Sequence, residues 1–169
     1  MTTKEEILAW LSESGIPYAL HQHDMVHTME DCLQLPFVTD EMVFCKNVFL
    51  CNRQKTQFYL MLLRPHTAFR TAVVSKALGV SRLSFAPDDA LETLLHLQSG
   101  AVSPLALHYD EEHQITLCYE KGLEDASMLV FHPCDSTASL VLEREVFWKR
   151  LLPLMKVRPV AVDCAAENG

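Results

Sequence analysis

Residues 42–51, with the sequence MVFCKNVFLC, are the stretch that most constrains the fold of this chain. They are rich in valine, phenylalanine and leucine, which predicts a strand with two apolar faces. A strand of this kind lies in the middle of a covered sheet. Lys46 interrupts the pattern, on the same face as Phe44 because side chains alternate along a strand. Its ammonium either reaches water from near a strand end or faces a cleft that uses the charge.

Length and composition predict one globular domain that spans residues 1–169. Hydrophobic residues make up 49% of the chain and charged residues 21%, an ordinary balance for a soluble protein. The net charge of −8 argues against a protein that binds nucleic acid mainly by neutralising many of its phosphates. A local basic patch remains compatible with this charge.

The same sequence predicts a reduced, cytoplasmic protein that is not attached to a membrane. No apolar run approaches the roughly 18 residues that span a bilayer, and the N-terminus lacks a secretory signal. The six cysteines are scattered without a CxxC pair, which argues against disulfides and structural zinc. His21, His23 and Asp24 form only a weak metal-ligand pattern, so we expect neither a metal nor a cofactor.

Periodicity and turn signals predict hairpins with helices beside them. A capping box of Thr3 and Glu6 indicates the first helix, which ends near Gly15. Three hairpins are predicted, with strand pairs at 42–51 and 57–63, at 105–109 and 114–119, and at 128–131 and 137–142. Other helices are expected at 28–35, 71–78, from 87, and at 143–154, with short strands at 17–20, 82–85 and 159–162. This order predicts an α+β fold, a single domain with a mixed, mainly antiparallel sheet flanked by helices.

Three segments occur together in an informative order: FCKNVFL around Lys46 and Asn47, the GxxxP loop from Gly100 to Pro104, and FHPCDSTASL around His132. In this order and at these separations they resemble the YbaK/prolyl-tRNA synthetase-associated editing domain family. The resemblance covers essentially the whole chain, including RLSFAPDDALETLL and PVAVD, and is greatest to free-standing members that act on alanyl-tRNA(Pro).

The resemblance implies an enzyme that hydrolyses the ester between a wrong amino acid and the 3′-terminal adenosine of tRNA(Pro). A synthetase pocket shaped for proline excludes the smaller alanine only weakly, because each missing methylene is worth about 1–3 kcal/mol. A second site that admits only small side chains would remove the error. The expected partners are the acceptor 3′ end of tRNA(Pro) and, in addition, prolyl-tRNA synthetase.

The family pattern also assigns expected roles to individual residues. Lys46 would orient the terminal phosphate or the reacting ester, Gly100 would let backbone amides approach the substrate, and His132 would set the size of the aminoacyl pocket. These three are the catalytic candidates. The substrate-binding candidates are Asn47, Ala101, Val102, Ser103, Pro104, Thr28 and Phe44. The sequence lacks a GxSxG elbow, so we expect attack by water, aided by a ribose hydroxyl, without a covalent intermediate.

Several alternatives remain open at this stage. The ester could be that of cysteine or another small amino acid, or the chain could be an inactive relative that binds tRNA or a synthetase as an adaptor. Gly100, Pro104 and His132 could be ordinary turn or strand-end residues. The basic residues that could contact phosphates could equally form a solvated face. They are Arg53, Lys55, Arg64 and Arg70 in one group and Lys149, Arg150, Lys156 and Arg158 in another.

Overall fold

The structure, a computed structural model, describes residues 2–26, 28–97 and 101–164. Within these ranges nine strands form two sheets, with helices packed against them. The strands are β1 Ala19–Gln22, β2 Met42–Phe44, β3 Lys46–Cys51, β4 Phe58–Leu63, β5 Ser84–Phe85, β6 Ile115–Glu120, β7 Met128–Phe131, β8 Ala138–Glu143 and β9 Val160–Val162. The helices are α1 Thr3–Glu13, α2 Met29–Leu33, α3 Thr71–Leu78, α4 Asp88–Leu95 and α5, which joins Arg144–Val146, a π-helical segment Phe147–Leu151 and Leu152–Leu154. Two 3₁₀ helices, Pro104–Tyr109 and Lys121–Asp125, lie on either side of β6.

Both sheets are mixed, which confirms the predicted α+β class. The four-stranded sheet has the order β1-β8-β7-β2 and the five-stranded sheet has the order β5-β3-β4-β6-β9. Antiparallel pairing joins β8 to β1 and β7, and β3 to β4 and β5, whereas β2–β7, β4–β6 and β6–β9 are parallel. Among the helices described, none combines the length and the apolar character needed to cross a bilayer.

The predicted single strand at 42–51 is wrong, because the chain changes sheets at Cys45. The backbone N–H of Cys45 still donates to the Val130 carbonyl of β7, at 3.2 Å. From Lys46 onward the chain instead pairs with β4, where Lys46 lies opposite Leu63. Alternation of side chains continues through the break, so the sequence pattern alone cannot reveal it.

Three apolar clusters follow from this change of sheet. Cys45 and Phe49 contribute to a main core that also takes residues from the four-stranded sheet, α1, α4 and α5. On the other side of the strand, Phe44 packs with Cys32 of α2, whereas Val48 packs with Val74 of α3. Lys46 therefore lies between two separate apolar clusters, at the junction of the two sheets.

Local signals predicted most of the remaining elements, with two corrections. The hairpins β3–β4 and β7–β8 are confirmed, as is α3, which ends at Gly79 with φ +68°. The hairpin predicted from 105–109 and 114–119 is wrong, because residues 104–109 form a 3₁₀ helix and β6 pairs with β4 in parallel. The first helix is capped by Thr2 rather than Thr3, since the Thr2 hydroxyl accepts the Glu5 N–H at 3.2 Å.

Candidate active site

A cavity of about 470 Å³ opens beside the junction between β2 and β3. Both sheets contribute to its wall, together with α2, β5 and α4. Six of the ten sequence-derived candidates line this one cavity, although they come from distant parts of the chain: Thr28, Phe44, Lys46, Asn47, Val102 and His132. Its volume is in the range of pockets that hold small organic ligands.

Lys46 enters the cavity from the first position of β3 and is half-buried. Its Nζ donates a hydrogen bond to the backbone carbonyl of Thr67, at 2.7 Å. Within the described part of the chain no carboxylate lies within ion-pair distance of this ammonium. Lys46 thus faces a cleft, the second of the two alternatives left open by the sequence, with its charge held by a carbonyl and not neutralised.

The loop that carries Thr67 is itself anchored by a buried carboxylate. Glu120, whose side chain is only 5% exposed, accepts the backbone N–H of Arg64 at 3.1 Å and its Nε–H at 2.6 Å. Burial alone would raise the pKa of Glu120, but hydrogen bonding from Thr67 and Arg64 outweighs it and holds that pKa below its ordinary value. Glu120 therefore anchors, at Arg64, the short segment that ends at Thr67, the partner of Lys46.

Asn47 also lines the cavity, although it alternates with Lys46 along β3. Its side-chain Nδ2 donates to the Cys45 carbonyl at 3.2 Å, across the point where the chain changes sheets. Its Oδ1 is buried and has no hydrogen-bond partner among the described residues. A buried acceptor without a partner costs free energy, so this oxygen is suited to accept a hydrogen bond from a ligand.

His132 lies at the end of β7, with its ring fixed on both nitrogens. Nδ1 lies 2.8 Å from the Ala138 carbonyl, which can only accept, so Nδ1 carries the proton and donates. Nε2 is then the acceptor, and it faces the Cys32 thiol at 3.8 Å. Burial lowers the pKa of His132 below its ordinary value, with a contribution from nearby His23. The imidazole is therefore neutral at physiological pH.

The two thiols of the cavity wall, Cys32 and Cys45, are poor nucleophiles. Burial raises the pKa of the Cys45 thiol far above its ordinary value, and burial together with Asp31 raises that of Cys32. Both cysteines stay protonated, and the thiolate is the form that attacks esters. Neither thiol is therefore suited to act as a nucleophile in this cavity.

The GxxxP loop contributes less to the cavity than the sequence predicted. Gly100 lies outside the described residues. Val102 lines the cavity, whereas Ala101, Ser103 and Pro104 do not. The Ser103 side chain is fully buried, and its Oγ accepts the Leu105 N–H at 3.3 Å, as the cap of the following 3₁₀ helix.

The two other substrate-binding candidates, Thr28 and Phe44, both line the cavity. The Thr28 hydroxyl also accepts the Asp31 N–H at 3.1 Å and so begins α2. Phe44 is buried and lies 6.4 Å from His132 between ring centroids. Its ring helps to fix the position of the imidazole.

Sequence reasoning missed Phe85 of β5 and Asp88 of α4, which also line the cavity. Both lie in the RLSFAPDDALETLL segment, which supported the resemblance without suggesting a site residue. In the His21, His23 and Asp24 pattern, both ring nitrogens of His23 already have hydrogen-bond partners. Nε2 lies 2.8 Å from Ser139 Oγ, and Nδ1 lies 2.7 Å from the Asp24 carbonyl. Across the described ranges no three His, Cys, Asp or Glu side chains are grouped to hold a metal ion.

Comparison with known proteins identifies the family. Residues 23–149 match the model of the aminoacyl-tRNA editing domain. The chain belongs to this family. The match confirms the resemblance drawn from the three motifs, and with it the interpretation of the chain as an aminoacyl-tRNA deacylase.

Curated relatives of this editing domain extend over most of the chain. A protein from Acetoanaerobium sticklandii described as prolyl-tRNA editing protein ProX is 32% identical over 145 residues, which cover 86% of this chain and 88% of that protein. Prolyl-tRNA synthetase associated domain-containing protein 1 of Danio rerio is 26% identical over 140 residues, 81% of this chain and 74% of that protein.

Solved structures with low sequence identity share the fold of this editing domain. Hypothetical protein APE2540 superposes with a TM-score of 0.71 at 16% identity, covering 94% of this chain and 98% of its own. A candidate trans-editing enzyme for prolyl tRNA synthetase superposes with a TM-score of 0.69 at 12% identity, covering 96% and 98%. Both show that this chain shares their fold over almost its whole length.

Proposed function

We propose that this chain is a single-domain trans-editing hydrolase that removes a wrong amino acid, alanine, from tRNA(Pro). The observation that carries the proposal is the cavity that brings Lys46, Asn47 and His132 together in a chain 32% identical to a prolyl-tRNA editing protein. An inactive adaptor would have no need for an unneutralised ammonium and an unpartnered amide oxygen in one cavity. The ammonium suits the negative charge that develops when an aminoacyl ester is hydrolysed, and the amide oxygen suits the N–H donors of its α-ammonium group.

The aminoacyl ester fits the cavity by charge. Attack by water places negative charge on the carbonyl oxygen of the ester, and the Lys46 ammonium can stabilise this charge in a partly enclosed site. The substrate also carries an α-ammonium, which the unpaired Asn47 Oδ1 and the Asp88 carboxylate can accept. Neutral His132 adds no cation that would repel this ammonium. Water attacks the carbonyl, and Gly100 stays a proposed source of backbone contact.

Selectivity for alanine would come from collision with packed walls. Cys45, Phe49 and Phe131 line the cavity and are buried parts of the main core. Packed side chains yield little, so a larger prolyl group meets a steep repulsion where an alanyl methyl does not. A cysteinyl ester is close to alanine in size and is the main competing substrate.

The proposed partners follow from this substrate. The protein would contact the acceptor 3′ end of tRNA(Pro) in the cytoplasm, and prolyl-tRNA synthetase would supply the mischarged product. A site that binds mainly the 3′ end of the tRNA needs few phosphate contacts, and this is compatible with the net charge of −8.

The decisive experiment is deacylation of alanyl-, cysteinyl- and prolyl-tRNA(Pro) by the purified chain, with uncatalysed hydrolysis of each ester as the baseline. We expect rapid loss of the alanyl ester, slower or comparable loss of the cysteinyl ester, and survival of the prolyl ester. Equal loss of all three esters, or loss of none, would refute the proposal. A cysteinyl ester cleaved much faster than the alanyl ester would reassign the substrate.

A further inference from the structure

Phe85 is unusually placed for a large apolar residue. It lines the cavity, yet 65% of it is exposed, because β5 is a two-residue strand at the edge of the five-stranded sheet. A second ring, that of Phe69, lies beside it with the centroids 5.7 Å apart and the planes at 59°. The ring therefore stands at the mouth of the cavity with much of its surface open to a ligand.

The chain around Phe85 is strongly segregated in charge. Residues 42–87 include seven of the 14 basic residues of the protein and none of its 22 acidic residues. The basic residues are Lys46, Arg53, Lys55, Arg64, Arg70, Lys76 and Arg82. This segment forms β2 to β5 and α3, and Arg53, Lys55, Arg70 and Arg82 are exposed on it. Arg64 pairs with Glu120, and Asp88 and Asp89 follow the segment directly, so the exposed Arg53, Lys55, Arg70 and Arg82 are its charges best suited to a polyanion.

We propose that Phe85, supported by Phe69, is a stacking platform for the terminal adenine of the tRNA 3′ end. This inference rests on the proposed function, since it assumes that an aminoacyl ester occupies the cavity. The adenine is attached to the same ribose as the ester, so it lies at the mouth when the ester reaches Lys46. Exposed aromatic rings next to basic side chains are how proteins hold single-stranded nucleic acid.

The remaining nucleotides would continue from Phe85 along the acid-free segment. Arg70 adjoins Phe69 in the chain, and Arg82 lies three residues before Phe85. Their charges favour the phosphates of the single-stranded end, and the same charges disfavour a basic or purely apolar protein partner. The other basic group is less suited, because Lys149 pairs with Glu145 at 2.7 Å and Arg150 donates to the Gly15 carbonyl at 2.6 Å.

The test compares Phe85→Ala, Phe85→Leu and Phe85→Tyr with the wild-type protein. Leu154→Ala is the matched control, since Leu154 is also exposed, at 43%, but does not line the cavity. We expect Phe85→Ala and Phe85→Leu to lower kcat/KM on alanyl-tRNA(Pro) at least about fivefold, Phe85→Tyr, which keeps the ring, to lower it less than Phe85→Leu does, and Leu154→Ala to stay near wild type. Thermal melting should be the same for all, because the side chain is exposed.

A binding measurement separates this inference from the proposed function. Fluorescence anisotropy at low salt would compare an uncharged stem-loop ending in ACCA with the same RNA whose last nucleotide lacks its base. Phe85→Ala should weaken binding of the intact RNA and leave the abasic RNA unchanged. Equal effects on both RNAs, or none, would overturn the stacking role even if the wild-type enzyme edits. Loss of synthetase binding with unchanged RNA binding would also overturn it, in favour of a protein contact.

Discussion

The Lys46 ammonium and the Thr67 carbonyl form the hydrogen bond that orients the cation in the cavity, with 2.7 Å between Nζ and the oxygen. A carbonyl orients a lysine without neutralising it, so the full charge remains for the substrate. The arrangement also links the site to Glu120, because Glu120 holds the loop that presents this carbonyl. The first two predictions follow from this relationship.

Lys46→Ala should lower deacylation of alanyl-tRNA(Pro) by about 100-fold or more while leaving the fold intact. Removal of one group that stabilises developing negative charge typically costs that much in kcat. The side chain is half-buried, and among the described residues its hydrogen-bond partner is the Thr67 carbonyl, so little packing is lost. Lys149→Ala, which removes an exposed lysine on α5, is the control. A melting temperature equal to wild type together with wild-type turnover would contradict the prediction.

Glu120→Gln should lower both the turnover and the stability of the protein. The neutral amide keeps the size of the side chain and one acceptor oxygen, but it loses the negative charge and cannot accept both Arg64 hydrogen bonds. A hydrogen bond to a charged group contributes about 1.5–3 kcal/mol, and less here because the Arg64 side chain is 53% exposed. We expect kcat to fall more than KM rises, because the shifted loop misplaces Lys46. Glu145→Gln, in an exposed pair with Lys149, should leave both unchanged.

The same carboxylate should make stability depend on acid pH. The pKa of Glu120 is lower in the folded protein than its ordinary value, so its ionised form stabilises the fold above about pH 4.3. That contribution is lost as the pH falls through the folded pKa. Melting temperatures measured from pH 7 to pH 3 should converge for wild type and Glu120→Gln at the acid end. A constant difference across this range would exclude the mechanism.

His132→Ala should change the ranking of substrates and not only the rate. The imidazole is held between Ala138 and Cys32, so its removal opens the cavity wall. We expect slower hydrolysis of the alanyl ester and a relative gain on the prolyl ester. The measurement is the ratio of the two kcat/KM values in both enzymes. A uniform decrease with an unchanged ratio would mean that His132 supports catalysis or folding rather than pocket size.

Ser103→Ala should affect stability more than catalysis. The hydroxyl caps a 3₁₀ helix and does not line the cavity, so its loss should cost about 1 kcal/mol of unfolding free energy. Chemical denaturation and kcat/KM on the alanyl ester measure the two effects separately. A large fall in kcat/KM with unchanged stability would instead restore Ser103 as a substrate contact.

Elements with local signals were predictable from the sequence, and elements with distant partners were not. Gly79 ends α3 where a glycine was expected, and the short turn between β3 and β4 indicated their hairpin. The parallel pairing of β6 with β4 leaves no local mark, because the partners are distant in sequence. The change of sheet at Cys45 was hidden for a related reason, since it alters the partner of the strand and not its periodicity.

The residues of the candidate site also divide into those that the sequence could identify and those that it could not. Lys46, Asn47 and His132 were found because family motifs mark them, and the structure brings all three to one cavity. Phe85 and Asp88 were missed because their importance depends on where an edge strand and a helix begin relative to the cavity. Ser103 was selected from its motif, but its hydroxyl is used by the backbone.

The division of residues 42–51 between two sheets has a consequence for how the protein reaches its native state. Each sheet contains a hairpin of neighbouring strands, β3–β4 in one and β7–β8 in the other, but the four-stranded sheet also pairs Ala19 with Val141 and Met42 with Met128. Closing such long loops carries an entropic cost and slows folding. The cavity wall belongs to both sheets, so a chain that has formed only the two hairpins still lacks the complete cavity. During refolding, catalytic activity should therefore return only when β1 pairs with β8 and β2 with β7, after most of the secondary structure is already present.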